Sequence, residues 1–356
     1  MFKKISVLVM PLLCAGMNDV LAQSSVTIYG IADVGMAYIN NVNGSSASQM
    51  YSGGLQSSRL GFRGNEDLGG GLNAVFTLES GLDMDTGSVT GAAFWGRQAF
   101  MGLSSRNWGS ITLGRQYTPS YDYLVLAGFA PAFGGLAAAH DGVPGSPVGQ
   151  QPAAAVSRFN NGIAAHRIDN SIKYASPSFG GFSFSALYGF GEVPGDNSAG
   201  RTLAVAGTYK SGKSFVSVSY TETASRINSS EPRDRIYAVG GMYDFGKFSI
   251  TAKYSVQKNS RNIKGLNADV GSIFVTVPID RLELKAGYSR MNDKSPTDYD
   301  SDQYALGAIY YLSKRTSLYS TLAYQRVGNG GLAGQNFNLS GNGRQTQILF
   351  GVRQVF

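Results

Sequence analysis

The feature that most restricts how this chain can fold is a period-two alternation of apolar and polar residues along nearly its whole length. In the first example Val26, Ile28 and Val34 share one parity, and Thr27 and Asp33 share the other. This period places successive side chains on opposite faces of an extended strand. About sixteen such segments can be counted, within the even-numbered range of outer-membrane barrels. The pattern therefore predicts an all-β protein.

The connections between these strands alternate between short turns and long polar loops. Short turns include residues 67–71, 210–213 and 244–247, whereas long loops are expected at 40–57, 83–95, 191–201, 223–235, 257–267, 291–301 and 328–343. Barrels of the bacterial outer membrane have this asymmetry between their periplasmic and extracellular ends. Closing the sheet also satisfies every backbone donor and acceptor without water. We predict an antiparallel transmembrane β-barrel with about 16 strands.

The N-terminal residues have the layout of a secretory signal peptide. Lys3 and Lys4 precede an apolar run, and small residues follow up to Ala22. Segments of this kind direct export and are removed. We predict cleavage after Ala22, so that residues 1–22 are the signal peptide and residues 23–356 form the barrel. The only cysteine, Cys14, lies in the first segment, so the predicted mature chain has no disulfide.

The composition is compatible with this membrane assignment. Hydrophobic residues make up 43% of the chain and the mean hydropathy is −0.09, as expected when outward apolar and inward polar residues cancel in the average. Tyr and Phe recur near the strand ends, where barrels have aromatic girdles. The net charge is +7, which could favour nucleic acid. Predicted export argues against that partner and favours anionic solutes or lipid head groups.

The longest predicted connection is at about residues 118–157. It is rich in Gly, Pro, Ala and aromatic residues, and it contains two carboxylates, Asp122 and Asp141, but no Lys or Arg. A loop of this length without strands or helices of its own is usually functional. We predict that it folds into the lumen as a constriction loop.

Five stretches resemble the trimeric general-diffusion porins of Gram-negative outer membranes, in the form common in beta-proteobacteria. They are residues 25–33 (SVTIYGIAD), 58–72 (SRLGFRGNEDLGGGL), 113–117 (LGRQY), 169–174 (DNSIKY) and 351–356 (GVRQVF). The resemblance covers essentially the whole mature chain. It implies a barrel of about sixteen strands, a homotrimer, and a constriction loop after the fifth strand. It also implies that the terminal Phe356 is a sorting signal read by the barrel-assembly machinery.

The same resemblance implies the partners of the protein. They are outer-membrane lipid and lipopolysaccharide on the outside of the barrel, and small hydrophilic solutes and anions in its lumen. The sequence itself has no Cys/His cluster, no zinc-binding spacing and no phosphate-binding glycine motif, so no metal or cofactor is expected, and predicted export argues against nucleic acid.

Charged residues at the narrow point of such a channel select ions, because low-dielectric walls focus their field. Leu60 and Phe62 have the lipid-facing parity, so Arg59 and Arg63 are expected to face the lumen. The candidates for the constriction and its selectivity are Arg59, Arg63, Arg97, Arg158, Arg167, Asp122, Asp141, Ala132 and Phe133, with Arg115, Asp33 and Lys173 as further candidates. Together, Arg59, Arg97 and Arg158 match an arginine cluster of the family.

Alternation alone does not decide the direction of every candidate. Arg97 shares parity with Met101, and only its resemblance to a lumenal arginine of the family indicates that it points inward. Arg115 shares parity with Leu113 and could face the pore or a neighbouring subunit. Asp33 has the lumenal parity, where it could pair with a basic residue or be hydrated.

The loop segment 131–135 (PAFGG) is similar to a constriction-loop motif of the family whose second residue is often glutamate. Here that position is Ala132, which would leave only Asp122 and Asp141 to oppose the arginines. We therefore expect a weakly to moderately anion-selective pore.

Two other functions could use parts of this sequence. A substrate-specific channel could use loop aromatics such as Tyr117 and Tyr121 as a track for sugars, although these rings could instead fix the loop to the wall. An outer-membrane barrel enzyme would need a nucleophile or an activated water with a positioned base. The two histidines, His140 and His166, have no matching nucleophile motif, so we predict that the protein is not an enzyme.

Overall fold

The computed structural model describes residues 25–124, 167–227, 230–335 and 338–356. The strands in these ranges are β1 (Ser25–Val42), β2 (Ser45–Ser52), β3 (Arg59–Gly69), β4 (Leu72–Asp83), β5 (Ser88–Val89), β6 (Gln98–Ser105), β7 (Gly109–Tyr117), β8 (Arg167–Ala175), β9 (Phe182–Gly189), β10 (Thr202–Ser211), β11 (Ser214–Thr223), β12 (Asp234–Asp244), β13 (Ser249–Lys258), β14 (Ala268–Ile279), β15 (Leu282–Asp293), β16 (Ser301–Tyr311), β17 (Thr316–Val327), β18 (Gly334–Gln335), β19 (Asn338–Leu339) and β20 (Arg344–Val355). A short 3₁₀ helix spans Ser260–Asn262. Within the described ranges, no helix is long and apolar enough to cross a membrane.

The described strands form an antiparallel barrel that closes on itself. One 18-stranded sheet contains 16 wall strands together with β2 and β5, which pair only with β1 and β4 respectively. The first and last wall strands meet in register from Ile31 opposite Val355 to Ile39 opposite Gln347. Closure leaves no unpaired edge among the wall strands, as a barrel in a bilayer requires. The predicted fold is confirmed.

The two faces of the wall differ in polarity as the alternation predicts. On the outer face, the side chains of Val26 and Met36 are each 65% exposed, and Val218 is 57% exposed. On the inner face, Ser217 and Gln325 are buried. An apolar band therefore surrounds a polar lumen, which is the arrangement of a barrel that contacts lipid outside and water inside.

The expected long loop at residues 40–57 is wrong over most of its length. β1 continues to Val42, and the chain then turns at Asn43 and Gly44, which both have positive φ (51° and 92°), into β2. An Asn-Gly pair with two positive φ values is the preferred two-residue hairpin turn, because its twist matches that of the flanking strands. The segment is therefore mainly a hairpin that extends the wall at the long-loop end.

Candidate functional site: the charged inner wall

The long loop begins at the end of β7, the fifth wall strand, and its first residues lie inside the barrel. Leu124 is fully buried. The Ser120 and Ser219 hydroxyl oxygens are 2.5 Å apart, and the Ser217 hydroxyl donates to the Tyr123 carbonyl oxygen at 3.3 Å. Because Ser217 and Ser219 lie on the inner face of β11, this part of the chain has crossed the lumen from β7.

A carboxylate of the barrel wall, Glu79, forms ion pairs with two of the predicted arginines. The Arg97 Nε donates to Glu79 Oε1 at 2.7 Å, and Arg59 Nη1 lies 4.0 Å from Glu79 Oε2. The Tyr29 hydroxyl also donates to Glu79 Oε2, at 3.0 Å. The Tyr29 ring reaches this position by lying across Gly61, where a Cβ would be 2.4 Å from a ring carbon. Both arginine side chains are nearly buried, 12% exposed for Arg59 and 10% for Arg97.

Tyr117 links this group to Arg167, the first residue of the strand that follows the long loop. Its hydroxyl oxygen accepts hydrogen bonds from Arg97 Nη2 at 2.8 Å and from Arg167 Nη2 at 3.1 Å. The Arg167 guanidinium also lies 4.9 Å from the centre of the Tyr117 ring, close enough for a cation–π contact. The Tyr117 ring also stacks on Tyr121, with ring centres 4.4 Å apart. One phenol therefore positions two cations.

Among the described residues, the cation that Asp122 contacts is a lysine and not an arginine. The Lys173 Nζ donates to Asp122 Oδ2 at 2.9 Å and to the Tyr117 carbonyl oxygen at 3.1 Å. Burial raises the pKa of the Asp122 carboxyl, and Lys173 opposes this rise. The expectation that only Asp122 and Asp141 could oppose the arginines is wrong, because Glu79 does so from β4. We call the connected set the lumenal charge network: Arg59, Glu79, Arg97, Tyr117, Asp122, Arg167 and Lys173.

Two other predicted arginines lie outside this network. The Arg63 guanidinium is exposed and lies 4.5 Å from the centre of the Tyr29 ring. Arg115 Nη1 contacts Asp169 Oδ1 at 2.6 Å, and its Nε donates to the Gly96 carbonyl oxygen at 2.7 Å. Arg115 is therefore engaged at the end of β7 and does not reach Glu79.

Asp33 is a structural residue and does not meet either expectation for it. Its carboxylate is completely buried, which excludes hydration in the lumen. It accepts hydrogen bonds from the Leu55 N–H at 3.0 Å, the Gln56 N–H at 2.7 Å and the Tyr319 hydroxyl at 2.6 Å. The groups that hold it are therefore neutral donors. Asp33 fixes the short segment between β2 and β3 to the inner wall.

Several predicted residues lie outside the described part of the chain. They are Ala132, Phe133, Asp141 and Arg158 of the constriction prediction, His140 and His166 of the enzyme alternative, and the signal-peptide residues 1–22. The terminal Phe356 is described. Its backbone N–H donates to the Gly30 carbonyl oxygen at 3.1 Å, and its own oxygen accepts from the Gly30 N–H at 2.9 Å. Phe356 thus completes the seam between β1 and β20, and its role as an assembly signal stays a prediction.

The closed barrel with its charged lumen has relatives among known proteins. Residues 6–330 match the family model described as Gram-negative porin. The chain belongs to the Gram-negative porins. The outer membrane porin protein 32 of Delftia acidovorans is 31% identical, over 96% of this chain and 97% of that protein. An outer membrane porin of Bordetella pertussis is 28% identical, over 94% of this chain and 95% of its own length.

Solved structures agree with this assignment. The anion-selective porin from Comamonas acidovorans has a TM-score of 0.79 and 28% identity, covering 94% of this chain and all of that one. OmpT of Vibrio cholerae, at 17% identity and a TM-score of 0.63, shares the fold. Family membership confirms the predicted resemblance, the outer-membrane location, and the prediction that this porin is a channel and not an enzyme.

Proposed function

We propose that this porin is a general-diffusion channel for small hydrophilic solutes and ions, with weak to moderate anion selectivity. The observation that carries the proposal is the charge balance of the lumenal charge network. Within the described residues it has four cations (Arg59, Arg97, Arg167 and Lys173) against two carboxylates (Glu79 and Asp122). An excess of positive charge in a confined lumen raises the local concentration of anions.

A hydrogen-bond donor of the network that has no partner among the described residues also supports anion selectivity. Arg167 Nε is buried and has no hydrogen-bond partner among the described residues. A buried polar atom of this kind is costly unless water or a ligand satisfies it. In a hydrated channel, that group can be a passing anion. The similarity to a porin described as anion-selective adds further support.

Reversal potentials in a salt gradient across planar bilayers test the selectivity. Anions should be preferred over cations, and a clear cation preference would contradict the proposal. Liposome swelling with sugars of increasing size tests the diffusion mechanism. A smooth dependence on size is expected, whereas saturation of the current by one solute would favour a substrate-specific channel. Tyr117 and Tyr121 stack on each other and are buried, so these two rings do not offer a free track for sugars.

We also propose that the porin is a homotrimer and that residues 118–157 constrict each pore. The inward path of residues 118–124 supports the second proposal. Three equal conductance steps on insertion of a single particle into a bilayer would support the trimer. One step per particle would contradict it.

A further inference from the structure

A second group of arginines lies near the long-loop end of β10–β12. Arg235 Nε donates to Glu222 Oε2 at 2.8 Å, and Arg201 Nη2 lies 3.8 Å from Glu222 Oε1. Arg233 Nη1 also contacts Glu222 Oε1. We call Arg201, Glu222, Arg233 and Arg235 the outer arginine cluster.

This cluster is on the outside of the barrel. Glu222 has the same parity on β11 as Val216 and Val218, whose side chains are 50% and 57% exposed. Glu222 is paired across the sheet with Arg235 on β12, and Arg235 has the parity of Tyr237, which is 47% exposed. Inner positions in the middle of both strands, such as Ser217 and Ala238, are buried. The arginines therefore continue the face that carries the apolar band.

An aromatic pair separates the apolar band from the cluster. The rings of Tyr220 and Tyr237 are 5.0 Å apart, and the Tyr220 hydroxyl donates to Glu222 Oε2 at 3.0 Å. Interfacial tyrosines in barrels lie at the level of the lipid head groups. Because Glu222 is two residues further toward the long-loop end, the cluster lies at the head-group level of the outer leaflet.

The cluster has more donors than its own carboxylate can use. Three guanidinium groups face one glutamate, which leaves a net charge of +2. Their side chains are 27% exposed for Arg201, 29% for Arg233 and 42% for Arg235. Arg201 Nε is buried and has no hydrogen-bond partner among the described residues. Each guanidinium has five N–H donors and the glutamate has two oxygens, so a second anion can be accommodated.

We propose that the outer arginine cluster binds a phosphate group of the anionic glycolipid in the outer leaflet. Several arginines around one phosphate form short charge-assisted bonds, and the planar guanidinium matches the phosphate oxygens. The ligand is identified by position as well as charge, since a lipid phosphate lies beside the aromatic pair while the acyl chains cover the apolar band below. The proposal depends on the outer-membrane location and does not depend on the selectivity of the lumen.

The chain contains a matched control at the same end of the barrel. Arg290 lies 2.9 Å from Asp300 and 3.6 Å from Asp302, and Lys294 contacts Asp269. These two cations face three carboxylates, so this second rim cluster has a net charge of −1. Like the outer arginine cluster it combines basic and acidic side chains at the rim, but its negative net charge should not attract phosphate.

Native mass spectrometry of the full-length porin in detergent can test the proposal. Wild type, R201Q/R233Q/R235Q, R235Q and R290Q/K294Q would be titrated with a bis-phosphorylated lipid A. The triple variant should bind about tenfold more weakly or worse, and R235Q about threefold more weakly. R290Q/K294Q should bind like wild type. Dephosphorylated lipid A should bind wild type as weakly as the phosphorylated lipid binds the triple variant.

Four results would overturn the proposal. The triple variant could retain wild-type binding, or the dephosphorylated lipid could bind wild type equally well. Inorganic phosphate could displace the lipid at equal concentration, which would make free phosphate the ligand. Finally, the substitutions could change the number of subunits without changing lipid retention, which would make the cluster a subunit contact. Reversal potentials should be the same in all four proteins, so a failure here is distinct from a failure of the proposed anion selectivity.

Discussion

Two carboxylates on the inner wall, Glu79 and Asp33, are held in the same way but have different surroundings. Each accepts a hydrogen bond from a tyrosine that lies across a glycine of an intervening strand. The two arrangements are Tyr29 over Gly61 to Glu79, and Tyr319 over Gly351 to Asp33. A Cβ on these glycines would be 2.4 Å and 2.3 Å from the tyrosine ring, respectively, so both contacts need glycine.

The remaining partners of the two carboxylates differ. Glu79 faces Arg97 and Arg59, whereas the other partners of Asp33 are the backbone N–H groups of Leu55 and Gln56. Glu79 therefore contributes to the electrostatic field of the lumen, whereas Asp33 stabilises the packing of the wall. A lumenal carboxylate can thus be assigned to selectivity or to structure only when its donors are known.

The largest effect should come from removing the principal cation of Glu79. Arg97→Gln leaves Glu79, whose side chain is 4% exposed, with Arg59 at 4.0 Å as its remaining cation among the described residues. An incompletely paired buried charge should lower the free energy of unfolding by about 3 kcal/mol. Unfolding by urea in detergent micelles would measure this, and reversal potentials should shift toward cations.

Arg63→Gln is the matched control for this change. Arg63 lies on the same face of β3 as Arg59, but it is exposed and stacks over a ring. Losing that contact should cost about 1 kcal/mol or less. Equal losses in the two variants would show that the buried pair has no special weight, and the contrast between Glu79 and Asp33 would then fail.

The next effect in size should be structural. Asp33→Ala leaves the Leu55 N–H, the Gln56 N–H and the Tyr319 hydroxyl without their acceptor. Unsatisfied buried donors should lower the free energy of unfolding by about 2 kcal/mol. Asp33→Asn should cost less, because the amide oxygen still accepts from the backbone. Neither variant should change the reversal potential, and a clear change would mean that Asp33 contributes to the field after all.

Glu79→Gln should change the reversal potential, unlike the Asp33 variants. It keeps an acceptor for Tyr29 and Arg97 but removes one negative charge from the lumenal charge network. At about 8 Å and an effective dielectric close to that of water, one charge changes the energy of a permeating ion by about 0.5 kcal/mol, with opposite signs for anions and cations, so the anion-to-cation permeability ratio should rise about fivefold. Reversal potentials would measure the ratio. A ratio equal to that of Asp33→Asn would remove the distinction between the two carboxylates.

Most of the fold could be predicted from the sequence because a barrel wall repeats one simple rule. Alternation placed Val26 outside and Asp33 inside, and both positions are confirmed. The expectation of a long loop at residues 40–57 is wrong for a local reason, because the Asn43-Gly44 pair is a hairpin-turn signal within a segment whose polar composition resembles that of a loop.

The charged site could be predicted only in part. The inward direction of Arg59 follows from the alternation of β3, and the same rule gave Glu79 the parity of Thr77, which was the available signal for it. What alternation cannot give is pairing between strands. Glu79 contacts Arg97 because β4 is adjacent to the start of β6. The Tyr117 hydroxyl accepts from two arginines because Arg167, at the start of β8, is paired with Tyr117 on β7. Such contacts depend on register and side-chain length.

The smallest effect should come from Asp122. Its surroundings are intermediate between those of Glu79, which faces two arginines, and those of Asp33, which has neutral donors, because Asp122 faces one cation, Lys173. Burial raises the pKa of its carboxyl, so this group becomes neutral at a higher pH than an exposed aspartate. Protonation removes one negative charge beside Lys173, so anion preference should rise as the pH falls through the raised pKa. We expect a change in the permeability ratio of about twofold or less, because Asp122 is partly exposed and its field is screened. Reversal potentials between pH 7 and pH 4 would measure it, with Asp122→Asn as the control. If the variant keeps the full pH dependence, the titrating group is another carboxylate, and Asp122 belongs with Asp33 as a structural residue.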